Sequence, residues 1–454
     1  MDRQDLFIEK LRSYTTSGIY PFHMPGHKRN APELFRELFR DPFSIDITEL
    51  SATDDLHHPE GILKEAMDFA ASVFHTKETF FLVNGSTCGV LSAICGTVRP
   101  GEKILMAKNA HISAYHALRF SGAVPVFLNP RVLLPYGFAG STDPNDAEAA
   151  LKKDPSIRAL YVTSPTYEGI LSDIRSLSDV AHRAGIPLIV DEAHGAHLAF
   201  LPEDVLKEYR AASAVGCGAD LVIQSLHKTL PAFTESAVLH LNSDRIDRRD
   251  IERSVACFET TSPSYLLLSS IDLCIRYMDG PGREEMKKYA ERLSAVRRKL
   301  SRGRSLKLWE PEKEDLRSER IFGYDPGKLI LGTGGSGPGG PYFAEILRER
   351  FGIEAEMAAA DYVLLMTSLC DTEEGFARLL KAAEEADFTE ETKNQNTAAG
   401  KENLNIPDGK LKDYIYLYPP GIPIAFPGDV LTEEKKAEIR KAMKKGCRII
   451  GLES

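Results

Sequence analysis

The 454-residue chain lacks an apolar run approaching the ~20 residues that a helix needs to cross a bilayer. Its opening, MDRQDLFIEKLRSY, carries acids among its apolar residues, where a secretory signal would be uniformly apolar. A soluble, cytoplasmic protein is expected. No C-x-x-C pair occurs among Cys88, Cys95, Cys217, Cys257, Cys274, Cys370 and Cys447, so neither a disulfide framework nor a zinc ribbon is indicated. Buried thiols in a reducing compartment fit this odd, scattered set. A basic surplus is missing too. The chain has 56 Lys and Arg against 66 Asp and Glu, a net charge of −10, which offers no broad surface to a polyphosphate and argues against nucleic acid as a partner. No period of repeat-protein length is present. What remains is ordinary globular usage, 43% hydrophobic and 27% charged, in a chain long enough for two or three domains at roughly 150 residues each.

From Thr79 to Asn242 one rhythm recurs: a short apolar run, a polar or glycine-bearing turn, then a stretch of helical period. The runs are Thr79–Val83, Lys103–Ala107, Val124–Leu128, Ala159–Thr163, Pro187–Val190, Asp220–Gln224 and Ser236–Leu241. Most are continuously apolar rather than alternating, which predicts a mainly parallel sheet covered by helices on both faces, an α/β fold. The expected organisation is an N-terminal segment over 1–60, a sheet-bearing domain over 61–280 and a smaller C-terminal domain over 281–454. Within the last, residues 387–413 are polar and read as a flexible connection.

Three motifs suggest chemistry that their surroundings do not support. Asp191-Glu192-Ala193-His194 spells the DEAH of a helicase, but no G-x-x-x-x-G-K-[ST] accompanies it to cradle phosphates. Gly332, Gly334 and Gly337 match G-x-G-x-x-G, yet Pro338 and Pro341 separate them from the following helix, which a dinucleotide fingerprint needs directly beneath the pyrophosphate. The histidine pairs His23/His27, His57/His58 and His194/His197 lack any metal-binding context, and no metal is expected.

The residues that carry chemistry follow the strands, where open α/β sheets bind ligands. After Thr79–Val83 comes Asn84-Gly85-Ser86-Thr87-Cys88-Gly89, a turn feeding a helix whose N–H groups and hydroxyls can hold a phosphate. After Lys103–Ala107 comes His111, placed to stack on a flat ring; Asp191 ends another strand, and Ser225-Leu226-His227-Lys228 follows a third. Taken singly, each is as well explained as a helix cap, a salt-bridge partner or a solvated cation. Together, an acid and a lysine at strand ends beside a phosphate cup fit pyridoxal phosphate, the lysine as Schiff-base former and the acid as partner of the pyridinium nitrogen. The spacing leaves transaminase, lyase and decarboxylase open.

Pro21–Arg29 (PFHMPGHKR), Asp46–Gly61 (DITELSATDDLHHPEG), Val83–Thr87 (VNGST), Thr163–Gly169 (TSPTYEG), Asp191–His197 (DEAHGAH), Gln224–Lys228 (QSLHK), Thr261–Tyr265 (TSPSY) and Tyr418–Gly428 (YPPGIPIAFPG) occur in that order. Across nearly the whole chain they resemble the pyridoxal phosphate-dependent ornithine/lysine/arginine decarboxylases of fold type I, in their short bacterial form. The resemblance implies a transferase-like large domain with a mainly parallel seven-stranded sheet and a smaller α+β C-terminal domain. It also implies decarboxylation of a basic amino acid, arginine or lysine before ornithine, in polyamine synthesis.

By the same resemblance Lys228 carries the cofactor, Asp191 pairs with the ring nitrogen and His111 stacks on the ring. Gly85, Ser86, Thr87, Ser225 and His227 would bind the phosphate, with Ser262 reaching a partner's phosphate across a homodimer or higher oligomer. His194 and His197 would line the pocket, and Lys228 or His227 would return a proton to Cα. The motifs begin near residue 20, which implies that the receiver-like domain of the long forms is absent. Asp429 stands where a glutamate usually grips the distal amine, and Ile112, Leu226 and Glu235 replace commoner Lys, Thr and Gln. These departures point to altered specificity rather than lost activity.

Overall fold

The computed structural model describes residues 6–133, 136–302, 306–318, 320–332, 339–385, 406–407, 409–418, 421–444 and 447–452. All seven apolar runs are strands of one sheet, ordered Glu78–Leu82, Ala237–Leu241, Leu221–Ser225, Leu188–Asp191, Ile157–Thr163, Lys103–Ala107, Val124–Leu128. The strands are parallel except Ala237–Leu241, which runs antiparallel to both neighbours. The reason is the connection before it. Residues 226–236 are fewer than the dozen or so that a parallel crossover needs, so the chain returns antiparallel.

Leu221–Ser225 and Leu188–Asp191 are buried throughout, as continuous apolar strands covered on both faces should be. On one face Ile104, Met106 and Ile223 pack with Cys88, Val90, Ile94, Ala114 and Leu118 from the Gly85–Thr97 and Ile112–Ser121 helices. On the other, Leu105, Val162 and Val222 pack with Ala147 and Leu177 from the Pro144–Lys153 and Ile174–Arg183 helices.

Helix Tyr265–Asp279 gives way at Gly280-Pro281 to helix Gly282–Leu300. Beyond it, Lys307–Leu308, Lys328–Gly332, Tyr362–Met366 and Met357–Ala358 form a four-stranded antiparallel sheet. The N-terminal segment docks there: Tyr20–Phe22 pairs in parallel with Ile353–Ala355, and Phe22, Leu226, Leu329 and Leu365 share one buried cluster. A last unit, strands Ile415–Leu417, Ile422–Ala425 and Ile449–Ile450, packs back on the large sheet through Tyr414 and Phe426 against Tyr115. Most of the polar stretch 387–413, namely 387–405 and 408, and two glycines of the G-x-G-x-x-G match lie outside the described residues. Among the described residues, no helix is long and apolar enough to cross a membrane.

Candidate active site

Lys228 sits in a single helical turn, Leu226–Thr229, that begins where the buried Leu221–Ser225 strand ends. The PFHMPGHKR loop braces this turn: the Gly26 N–H donates to the His227 carbonyl at 2.6 Å, and the Ser368 hydroxyl donates to the Gly26 carbonyl at 2.5 Å. Only glycine fits at 26, because a Cβ there would lie 2.5 Å from the Leu230 carbonyl oxygen. Lys228 faces a cavity of about 440 Å³ whose lining includes Gly85, Ser86, Thr87, His111, Asp191 and His194, with His227 beside it. Burial, ahead of every other influence, pulls the Lys228 pKa down, while Asp191 and Glu356 pull it up.

Asp191, at the end of its strand, accepts hydrogen bonds from the Tyr161 hydroxyl at 3.1 Å and the Ala193 N–H at 3.1 Å. His111 caps the Ile112–Ser121 helix; its Nδ1 accepts from the Ser113 N–H at 3.2 Å, which puts the neutral ring's proton on Nε2. Its ring is closed in by the C-terminal unit, since the Ile112 N–H donates to the Gly421 carbonyl at 3.0 Å and a Cβ on Gly421 would come within 3.3 Å of His111 Nε2. Gly421 has φ +84°, in the left-handed region that favours glycine. His227 donates from Nδ1 to the Ser236 carbonyl at 3.0 Å. Burial takes both His111 and His227 down to about 4. Both rings are therefore neutral at pH 7.

At the opposite end, Gly85, with φ +72°, turns the chain into a thirteen-residue helix whose first N–H groups meet Ser86 and Thr87. The preceding amides of Val83 and Asn84 are already taken by Glu259, at 3.0 and 3.2 Å. A phosphate bound here would meet the helix N-terminus itself, where the dipole favours an anion. Asn109 lines the cavity with a buried Oδ1 that has no partner among the described residues; Ser225, outside the lining, has an Oγ that is likewise buried and without a partner among them. A phosphate cup, a carboxylate held on the floor, a neutral imidazole and a lysine are the donor set that pyridoxal phosphate needs, and the residues present fit it.

Some expected residues are elsewhere. His197 does not line the cavity: it is 3% exposed and its Nε2 meets Asp325 Oδ1 at 3.1 Å, so it anchors a buried acid one layer out. Ser262 is exposed, its N–H donating to Thr260 Oγ1. Asp429 is exposed, accepts the Phe426 N–H at 3.0 Å in its own turn, and faces a separate cleft with Lys108 and Lys435. Of the three departures, Leu226 is core, Ile112 packs on the helix layer and Glu235 lines the cavity with φ +79°.

Glu192 of the DEAH is structural, receiving Ala214 N–H at 2.7 Å, Ser213 Oγ at 2.9 Å and Gln224 Nε2 at 2.6 Å. The residues that sequence reasoning missed are Tyr161, Tyr167, Lys328 and Glu356. Glu356 lines the cavity and accepts from the Met24 N–H at 2.9 Å and from the Tyr167 hydroxyl. Tyr167 and Met24 lie inside quoted motifs, which was a signal. Glu356, in IEAEMAA, carried none.

The profile described as Orn/Lys/Arg decarboxylase, major domain, matches residues 6–374. The chain is 30% identical to the arginine decarboxylase of Bacillus subtilis (strain 168), over 98% of this chain and 94% of that one. It is 33% identical to the arginine decarboxylase of Halalkalibacterium halodurans, over 95% and 92% respectively. Among solved structures, the constitutive lysine decarboxylase of E. coli superposes with a TM-score of 0.71 at 18% identity, covering 98% of this chain and 81% of that one, a likeness of fold.

Proposed function

Because the chain belongs to the Orn/Lys/Arg decarboxylase family, and is thereby a pyridoxal phosphate-dependent amino-acid decarboxylase of fold type I, we propose that it converts arginine to agmatine and carbon dioxide. The observation that carries this reading is one cavity that holds a half-buried lysine, a strand-end carboxylate, a phosphate cup and a second carboxylate, Glu356. Arginine is preferred to lysine because the relatives matched over almost their whole length, at 30% and 33% identity, are arginine decarboxylases.

When bound, pyridoxal phosphate supplies an electron sink for the bond between Cα and the carboxylate. The chain's own residues do the rest. Lys228 would bind the cofactor aldehyde; Asp191, fixed by Tyr161 and Ala193, would face the ring nitrogen; His111 would cover one ring face; Ser86 and Thr87, with Ser225 and His227, would serve the phosphate end. His227 is a poor proton donor, because its Nδ1–H is committed to the Ser236 carbonyl and its Nε2 is a bare lone pair at neutral pH. Lys228 therefore returns the proton to Cα.

No arginine is among the described residues lining the cavity, so none clamps the α-carboxylate and stabilises it before reaction. The distal cation needs an acceptor, since a buried unpaired charge costs several kcal/mol. Glu356 fills that role in preference to Asp429, which faces another cleft. A homodimer is supported by exposed Phe7, Ile8, Leu11, Phe43 and Leu50 in the N-terminal segment, and by Ser262, whose exposed position suits a partner's phosphate. The reading places the enzyme in cytoplasmic polyamine synthesis.

The test is incubation of purified protein and pyridoxal phosphate with equimolar arginine, lysine and ornithine, with products identified by mass spectrometry. Agmatine in excess is the expected result. Cadaverine or putrescine in excess overturns the substrate assignment, and a keto acid in place of any amine overturns the reaction.

A further inference from the structure

His194 lies between two lysines, the half-buried Lys228 and the buried Lys328. Its Nε2 is 3.2 Å from Lys228 Nζ and its Nδ1 is 2.8 Å from Lys328 Nζ. Lys328 opens the Lys328–Gly332 strand of the second sheet, is 4% exposed, and no role for it follows from the chemistry above. Its route is built. Gly169, the last residue of TSPTYEG, has φ +96°, and a Cβ there would meet the Lys328 Cγ at 2.7 Å, so glycine is what lets the lysine stem pass. Tyr167 then packs edge-on against the His194 ring, with centroids 4.7 Å apart, and fixes its orientation.

Hydrogen-bond accounting fixes the charges. His194 is neutral, since burial foremost, together with Lys228 and Lys328, drives its pKa far down. A neutral imidazole has one N–H and one lone pair. It can accept from one ammonium only, and must donate to a neutral amine on the other side. We propose that Lys328 is a positioning residue for Lys228, acting through His194: the Lys328 ammonium donates to Nδ1, and Nε2–H donates to the lone pair of Lys228, which is thereby held as a neutral nucleophile. The same chain can reverse. One proton passes from Lys328 to Nδ1 and one from Nε2 to Lys228, leaving Lys328 neutral, the imidazole as its other tautomer and Lys228 an ammonium able to donate. Charge and protons balance in the transfer. The inference rests on Lys228 being the cofactor lysine.

Every charged neighbour fits this assignment. Lys228 faces Asp191 from its strand end, Glu356 from the second sheet, His111 from its helix cap and His227 beside it. Lys328 faces Asp325, Glu356, Glu168 and Lys28, with Nζ 5.8 Å from the Tyr167 ring centroid. Asp325 is itself held by His197 and the Gly327 N–H, which gives the outlying histidine a purpose. Lys328 is pulled down to about 8, burial leading, so it remains largely charged at neutral pH.

The test uses the full-length chain freed of cofactor, mixed with pyridoxal 5′-phosphate across pH 6–10, with the adduct at Lys228 trapped by borohydride and counted by peptide mapping. Lys328→Met keeps the stem and removes the charge; His194→Phe keeps the ring and removes both nitrogens. Each should raise the half-rate pH of capture by about one unit, with wild-type near-ultraviolet circular dichroism. The double variant should shift no further than either single. Unchanged profiles, or shifts that add in the double variant, overturn the relay while leaving the assignment of Lys228 intact. Absence of label from Lys228 in the unaltered chain overturns both.

Discussion

Gly26→Ala is the sharpest probe of how the N-terminal loop supports the catalytic turn. A Cβ at 26 would lie 2.5 Å from Leu230 O, 2.7 Å from Leu230 N and 2.8 Å from Thr229 C, where ordinary contact begins at 3.4 Å. All three neighbours are backbone, so relief requires the loop and the Leu226–Thr229 turn to part by about 0.9 Å. That movement breaks the 2.6 Å bond from Gly26 N–H to the His227 carbonyl and strains the 2.5 Å bond from Ser368. With about 1 kcal/mol for each hydrogen bond and about 1–3 kcal/mol for overpacking, the destabilisation is about 2–5 kcal/mol. Because the turn carries Lys228, a misplacement of about 1 Å should also lower kcat by about 100-fold. Thermal melts and steady-state kinetics on arginine measure both. A variant with unchanged melting and kcat would refute the close packing of loop and turn.

Asp191→Asn keeps one acceptor oxygen where Tyr161 and Ala193 use two, and loses the charge; it should retain cofactor while kcat falls by roughly 100-fold or more, and near-normal turnover contradicts the role. Glu356→Gln preserves acceptance from Met24 N–H while removing the charge, so KM for arginine should rise by about 10- to 100-fold, with little change for citrulline, its uncharged isostere. Equal effects on the two substrates would remove Glu356 from distal recognition. Acid should destabilise the fold early. Burial holds His111 and His227 at about 4 and His240 at about 3, below the 6.5 of an unfolded chain, so the unfolded state binds more protons and stability is lost as pH falls from 6.5. Glu192, raised to about 7 by burial, works in the opposite sense, but His194, driven well down by burial, adds to the histidine loss, so the melting temperature should be lower at pH 5.5 than at pH 7.5. A melting temperature that rises between pH 7.5 and 5.5 would contradict this balance.

The large sheet was legible because most of its strands are contiguous apolar runs, the central ones buried throughout, and because strand ends deliver Gly85, His111, Asp191 and Lys228 to one edge. Only the orientation of Ala237–Leu241 needed the additional rule on connection length. The rest of the site depends on long-range pairing that local pattern does not encode. Glu356 reaches the cavity because Ile353–Ala355 pairs with Tyr20–Phe22, which brings Met24 beneath its carboxylate. Lys328, at the start of a short strand, reads as a solvated cation until Gly169 and His194 are seen around it. Asp429 follows a motif that suggested substrate contact, but its own turn uses its carboxylate. His197 carried the right chemistry at the wrong depth, one layer behind His194.

The central claim is that Lys228, set against Asp191 and the phosphate cup, is the residue on which this decarboxylase carries its cofactor. Borohydride reduction of the protein loaded with pyridoxal phosphate, followed by proteolysis and peptide mass mapping, tests it directly. The account predicts one pyridoxyl group per chain, on the peptide containing Lys228, and none at that position in Lys228→Ala. Label on another lysine, Lys328 in particular, or label that persists in Lys228→Ala, would contradict it.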